Sequence, residues 1–270
     1  SAIEVDEVAS DIPPLSWLVG NSPPPLLNAL LGQTVSYGSY EGMRVVQITP
    51  ANPTGEYVVA IHGGAFIFPA SFFHWINYSV TSYMTGATFQ VPIYPLVQEG
   101  GTAGVVVPKM AGLMTSLINT HGVENVSVTG DSAGGNLALS SVQYMVQNAA
   151  LLGPVPSRMV LLSPWLDLTM TNPNIAFVQD PLLPVGLAQD FGKQWAGNLP
   201  VTNYMVSPRY GSLLGLPPTT LYTGSLDILS PDAILLKQLA ANVGANMNFV
   251  LANGQIHDWL ILTLDGPQYW

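Results

Sequence analysis

Apolar runs of strand length alternate with helix-length segments along most of the chain. The predicted strands are Thr34–Tyr40, Arg44–Thr49, Tyr57–His62, Thr88–Tyr94, Asn125–Thr129, Met159–Ser163, Thr219–Thr223 and Asn248–Leu251. From Tyr57 onward these runs are almost continuously apolar, which is typical of parallel strands buried on both faces. The predicted helices are Trp75–Thr85, Val105–Thr120, Ala133–Gln147, Pro231–Val243 and His257–Leu264. The alternation predicts an α/β domain with an eight-stranded, mostly parallel sheet and helices on both faces.

Two stretches depart from this rhythm. Residues 1–34 are rich in proline and are predicted to be a linker or N-terminal arm, with one short helix at Pro25–Leu31. Residues 166–210 form a long segment rich in Pro and Asn, with a helix around Leu187–Trp195. We interpret this segment as a cap or lid inserted into a single domain that spans residues 35–270.

Composition excludes several kinds of function. Only 8% of the 270 residues are charged, the net charge is −10, and the six Lys and Arg form no cluster, so a nucleic-acid surface is not expected. Cys is absent, which excludes disulfides and thiol chemistry. No apolar run is long enough for a transmembrane span, and the acidic start does not resemble a signal peptide. Two interpretations of the weakly charged surface stay open: a neutral, poorly soluble globule, or a surface that contacts lipid or cell envelope.

A nucleophile motif stands between a predicted strand and a predicted helix. Gly130-Asp131-Ser132-Ala133-Gly134 matches G-x-S-x-G, in which a sharp strand-to-helix turn exposes the serine hydroxyl. The helix N-terminus that follows favours negative charge. Ser132 is therefore the predicted nucleophile.

A glycine turn follows the buried strand that begins at Tyr57. Its sequence is His62-Gly63-Gly64-Ala65-Phe66, and such a turn can aim backbone N–H groups at an anion. We predict an oxyanion hole formed by the N–H groups of Gly63, Gly64 and Ala133.

The base must be one of four histidines. His62 belongs to the glycine turn, His121 lies at a predicted helix end, and His74 sits in an aromatic-rich loop. His257 follows the last predicted strand, where this kind of active site places its base, and is the predicted base. The scattered histidines offer no metal-binding spacing, so neither a metal nor another cofactor is expected.

The acid that orients the base should follow the penultimate strand. Asp227 lies in that loop and is the predicted acid. Asp232 is the alternative, but it opens a helix, where acidic residues are common. Asp258 adjoins His257, and adjacent side chains rarely meet with suitable geometry.

These motifs resemble a known family. The H-G-G turn, G-D-S-A-G-G, the D-x-L that begins at Asp227 and the late histidine are similar to the hormone-sensitive-lipase-like branch of the α/β-hydrolases. Further segments resemble the catalytic domains of mycobacterial PE-linked triacylglycerol lipases and their relatives: Phe73-His74-Trp75, Tyr94-Pro95-Leu96-Val97, Leu162-Ser163-Pro164 and Lys193-Gln194-Trp195-Ala196-Gly197. The resemblance implies an α/β-hydrolase fold and an esterase or lipase that is exported, secreted or associated with the cell envelope.

Two positions depart from that family. Ala65 stands where a third glycine is usual, and Asp258 replaces the glycine that usually follows the base. We expect the first change to narrow the acyl entrance, and the negative charge of Asp258 to raise the pKa of His257.

The expected activity is cleavage of carboxylic esters, with acyl-lipid or acylglycerol substrates, through an acyl-enzyme on Ser132. Aromatic residues near the glycine turn and in the insertion are predicted to line the acyl pocket: Phe66, Phe72, Phe73, His74, Trp165 and Trp195. The alternatives are a small-ester deacetylase, an amidase, and a non-catalytic binding module of the same fold.

Overall fold

A computed structural model of the chain describes residues 4–5 and 20–263. Most of the predicted N-terminal arm, at residues 1–3 and 6–19, lies outside the described residues, as does the segment 264–270. No helix in the described ranges is both long and apolar enough to cross a bilayer.

One mixed sheet organises the molecule. Its strands are β1 (Glu4–Val5), β2 (Thr34–Tyr40), β3 (Met43–Thr49), β4 (Tyr57–Ile61), β5 (Thr88–Ile93), β6 (Val126–Asp131), β7 (Met159–Leu162), β8 (Thr219–Gly224) and β9 (Met247–Ala252). Their spatial order is β1-β2-β3-β5-β4-β6-β7-β8-β9. The first three pairings are antiparallel and the pairings from β5 to β9 are parallel. All eight predicted strands form, and the two-residue β1 is an addition that the sequence did not predict.

Eight α-helices lie in the described residues. They are α1 (Pro25–Leu30), α2 (Phe72–Thr85), α3 (Ala103–His121), α4 (Ala133–Gln147), α5 (Ala149–Leu152), α6 (Val185–Ala196), α7 (Ser230–Val243) and α8 (Trp259–Leu262). Those from α2 to α7 connect the parallel strands. The first turn of α2 is fixed by Ser71, whose hydroxyl accepts from the N–H of His74 while the His74 ring accepts from the N–H of Ser71. The last predicted helix starts later than expected, because Asp258 has a φ of 54°, which lies outside the helical range. His257 therefore lies in the turn before α8.

Alternate residues of the central strands enter different cores. Val59 and Ile61 of β4 belong to the same apolar cluster as residues of α3, α4 and α7, whereas Val58 and Ala60 belong to a cluster with α2 on the opposite face. A smaller cluster beside α8 completes that second face. The two-residue period of a strand thus places helices on both sides of the sheet, and the parallel strands all end at one edge.

The segment between β7 and β8 starts at that edge and crosses to the opposite one, where the parallel strand β8 begins. It contains short 3₁₀ turns at Pro173–Phe177 and Pro208–Tyr210 and the amphipathic helix α6 between them. This segment includes residues 166–210, the stretch interpreted above as a cap.

Candidate active site

Ser132 occupies a strained turn between β6 and α4. Its φ of 51° and ψ of −117° lie outside the regions that L-residues favour. Glycines make this turn feasible, since a methyl group at Gly134 would overlap the carbonyl oxygen of Ile61 and one at Gly130 would overlap the carbonyl oxygen of Gly134. Ser132 is only 8% exposed, so its hydroxyl is presented to a sheltered space.

The structure brings the predicted nucleophile, base and acid into hydrogen-bond contact. Nε2 of His257 lies 2.9 Å from Oγ of Ser132, and Nδ1 lies 2.8 Å from Oδ2 of Asp227. The other carboxylate oxygen of Asp227 accepts the N–H of Leu229 at 2.8 Å. A fully buried carboxylate with a fixed orientation can hold the imidazole tautomer that leaves Nε2 free to accept a proton.

The alternative residues make other contacts. Asp232 lies on α7 and accepts a hydrogen bond from Asn172; burial raises its pKa to about 6. Among the other histidines, His121 stacks on Tyr57 with ring centroids 3.7 Å apart, and Nδ1 of His62 contacts the carbonyl oxygen of Gly63. Burial, with His74 nearby, lowers the pKa of His62 to about 4.

Asp258 contacts the base on an unexpected atom. Its Oδ2 lies 3.3 Å from Nε2 of His257, the nitrogen that faces Ser132. Burial disfavours the charged imidazolium, but the carboxylates of Asp258 and Asp227 outweigh it and raise the pKa of His257 to about 10. The pKa of Asp258 is itself raised well above its usual range, chiefly by burial, against the pull of His257 and with Asp131 close by.

A second buried acid–imidazole contact supports the glycine turn. Oδ2 of Asp131 lies 2.9 Å from Nε2 of His74, and Oδ1 accepts the N–H of Gly63 at 3.1 Å. This contact corrects the predicted oxyanion hole, because the N–H of Gly63 is already committed to a carboxylate. The sequence could not reveal that Asp131 turns back toward the glycine turn.

The N–H groups of Gly64, Ala65 and Ala133 remain available. None of them donates a hydrogen bond to any residue in the described ranges, and Gly64 and Ala65 line the same cavity as Ser132. Ala65 adopts a φ of 54°, so the residue that replaces the usual glycine keeps a left-handed backbone at some conformational cost. The oxyanion donors that this geometry offers are therefore Gly64, Ala65 and Ala133.

A cavity of about 350 Å³ opens above Ser132 and His257. His74 and Trp165 line it as predicted. Its apolar wall comes mainly from the cap, with Leu182, Leu183, Pro184, Leu187, Ala188 and Phe191, and is joined by Phe68 and Leu229. This volume is within the range of small-molecule sites.

Four of the six predicted pocket residues lie elsewhere. Phe66 and Trp195 are fully buried and stack on each other with ring centroids 3.9 Å apart. Phe72 and Phe73 lie in the first turn of α2, outside the cavity lining. Phe66 and Trp195 lie in the core because burying a large aromatic ring removes much apolar surface from water. The i, i+4 spacing of Leu187 and Phe191 on α6 was the signal that could have identified the wall.

Comparisons with known proteins give a consistent result. Residues 58–261 match a family model described as alpha/beta hydrolase fold. The chain is 64% identical over 263 residues to a triacylglycerol lipase of Mycobacterium tuberculosis, covering 97% of this chain and 55% of that protein. It is 29% identical over 232 residues to an esterase of Acinetobacter venetianus, covering 84% of this chain and 75% of the esterase. The chain thus spans about half the length of the Mycobacterium tuberculosis relative.

Solved structures share the fold. A Staphylococcus aureus structure superposes with a TM-score of 0.84 at 26% identity, covering 94% of this chain and 86% of that one. A hormone-sensitive lipase from a metagenome library superposes with a TM-score of 0.78 at 21% identity, covering 90% of this chain and 87% of that one.

Proposed function

The chain belongs to the α/β-hydrolase fold family, and we propose that it is a serine hydrolase that cleaves carboxylic esters of acyl lipids or acylglycerols. One observation carries the proposal: Oγ of Ser132 lies 2.9 Å from Nε2 of His257, whose Nδ1 lies 2.8 Å from Asp227. The apolar cavity above these atoms supports an acyl substrate, and the 64% identity to a triacylglycerol lipase supports acylglycerols.

The proposed reaction has two halves. Oγ of Ser132 attacks the ester carbonyl carbon while its proton passes to Nε2 of His257. The oxyanion accepts hydrogen bonds from the free N–H groups of Gly64, Ala65 and Ala133. The C–O bond to the alcohol then breaks, and His257 returns the proton to the leaving oxygen. Water, deprotonated by His257, then attacks the acyl carbon. The bond to Oγ of Ser132 breaks, His257 returns the proton to Oγ, and the carboxylic acid leaves.

The test combines a variant with two probes. We expect Ser132→Ala to remain folded, with an unchanged circular dichroism spectrum, and to lose both nitrophenyl ester hydrolysis and labelling by a fluorophosphonate. Hydrolysis that persists in the folded variant would exclude the mechanism. A wild-type chain that neither labels nor hydrolyses would instead favour the non-catalytic binding module.

The acyl specificity is tested separately. Nitrophenyl esters from acetate to octanoate, followed by tributyrin and trioctanoin, measure how well the cavity accepts longer chains. A steady rise in kcat/KM from acetyl toward octanoyl supports an acyl-lipid substrate. A maximum at acetate would point to the small-ester deacetylase.

We also propose that the protein is exported or associated with the cell envelope. The support is the likeness of its motifs to PE-linked lipase domains, given above. Fractionation of cells that express the complete gene tests this location, and recovery only in the cytosol would contradict it.

A further inference from the structure

One carboxylate in the cap bridges the wall of the cavity and the loop that carries the acid. Oδ1 of Asp180 accepts the N–H groups of Leu182 and Leu183, at 2.7 and 3.1 Å. Its Oδ2 accepts the N–H of Ile228 at 2.9 Å. Hydrogen bonds from backbone N–H groups to a carboxylate are among the stronger ones in proteins.

The two carboxylate oxygens of Asp180 contact different parts of the site. Leu182 and Leu183 belong to the apolar wall. Ile228 directly follows Asp227, and the next residue, Leu229, donates its N–H to Asp227 and also lines the cavity. Ile228 is 3% exposed, so its N–H would have little access to water without Asp180.

We propose that Asp180 is a positioning residue that holds the acyl wall and the acid loop in one fixed relation. Acyl-chain selectivity and the orientation of His257 by Asp227 are then set together, by a group that touches neither the substrate nor the base. The inference rests on the proposed ester hydrolysis and adds to it a determinant of specificity far from the nucleophile in sequence.

Asp180→Asn is the first test. An amide offers a single acceptor oxygen and turns an NH₂ group toward donors, so it cannot satisfy both ends of the bridge. We expect kcat to fall for all nitrophenyl esters, because Asp227 is held less firmly. We also expect KM to rise with acyl length and to reach roughly tenfold for octanoate, the change that follows from losing one hydrogen bond to a charged group.

Two further variants separate position from general damage. Asp190→Asn makes the same charge change on α6, at an exposed residue that has no hydrogen bond or ion pair to the described residues. Asp180→Ser keeps an oxygen that can accept the N–H of Leu182 but is too short to reach Ile228. The serine variant should therefore recover much of the KM for octanoate while kcat stays low.

The kinetic constants of the variants distinguish the proposed role of Asp180 from general damage to the fold. Rates are normalised to sites counted by fluorophosphonate labelling, so that a partly unfolded sample is not mistaken for a slow enzyme. Asp180→Asn behaving like Asp190→Asn, or lowering kcat/KM by one factor at every chain length with KM unchanged, would overturn the inference. A wild-type chain without ester hydrolysis would refute the proposed function instead, so the two failures are distinguishable.

Discussion

Replacing Asp258 by Asn tests how the base is tuned. The substitution removes a carboxylate whose oxygen lies 3.3 Å from Nε2 of His257 and keeps nearly the same shape. Asn also tolerates the left-handed backbone of this position, where φ is 54°. The change therefore acts mainly on charge.

The size of the effect follows from Coulomb's law. Two unit charges 3.3 Å apart attract by about 5 kcal/mol at an effective dielectric constant of about 20, equivalent to more than three pKa units. The full value is an upper limit, because burial raises the pKa of Asp258 well above its usual range, so this carboxyl carries less than a full negative charge over part of the pH range. We expect the pKa of His257, raised to about 10 in the native protein, to fall by about one to three units.

The direction of the shift follows from the protonation state in which His257 acts as a base. A general base works in its neutral form, so a raised pKa leaves the wild-type base protonated up to alkaline pH, and kcat/KM should rise through that range. Removing the negative charge destabilises the imidazolium and lowers its pKa. The acid limb of the profile should then move to lower pH, and activity at pH 7 should rise relative to the alkaline plateau.

The assay is the pH dependence of kcat/KM for a nitrophenyl ester, corrected for spontaneous hydrolysis. Asp190→Asn is the control, since it makes the same charge change at an exposed residue of the cap. An acid limb that stays in place, or moves to higher pH, would refute the electrostatic reasoning.

Two further predictions concern packing and the pocket. Gly134→Ala should lower the free energy of unfolding by more than about 3 kcal/mol, because its methyl group would overlap the carbonyl oxygen of Ile61. Gly186→Ala places a methyl group that meets nothing within 4 Å inside helix α6, and should raise the free energy of unfolding by about 0.5–1 kcal/mol. Urea titration measures both changes. Phe191→Ala should selectively lower the hydrolysis of octanoate esters. Trp195→Ala should lower the free energy of unfolding by about 3–5 kcal/mol with little change in chain-length preference. The opposite pattern would contradict the assignment of Phe191 to the cavity wall and Trp195 to the core.

The fold and the candidate catalytic positions could be predicted from the sequence because each depends on a pattern within a short segment of the chain. Each strand and the helix that follows it carry their own period, and Ser132 is bracketed by glycines that the close approach of strand and helix demands. The order of serine, acid and base along the chain then indicated Asp227 and His257. The structure brings these three side chains into contact, and ester hydrolysis tests their roles.

The errors arose where one residue type has several uses. Aromatic rings near the glycine turn predicted pocket residues, yet Phe66 and Trp195 stack in the core. The N–H of Gly63 was assigned to the oxyanion, yet it donates to Asp131. Composition and proximity in sequence report that a side chain is apolar or that a donor is near, but not which neighbour it meets.

The sequence alone therefore determined the eight main strands, the turn that exposes Ser132 and the candidate catalytic positions, because strand period, helix period and glycine spacing act over a few neighbouring residues. Only the tertiary structure decided which N–H groups stay free, which wall the cap contributes, and that Asp258 meets the same nitrogen as the nucleophile. These features depend on contacts between segments distant along the chain and on single backbone angles, such as the left-handed turn at Asp258. A local sequence pattern does not specify a hydrogen-bond partner or packing neighbour that lies on another loop.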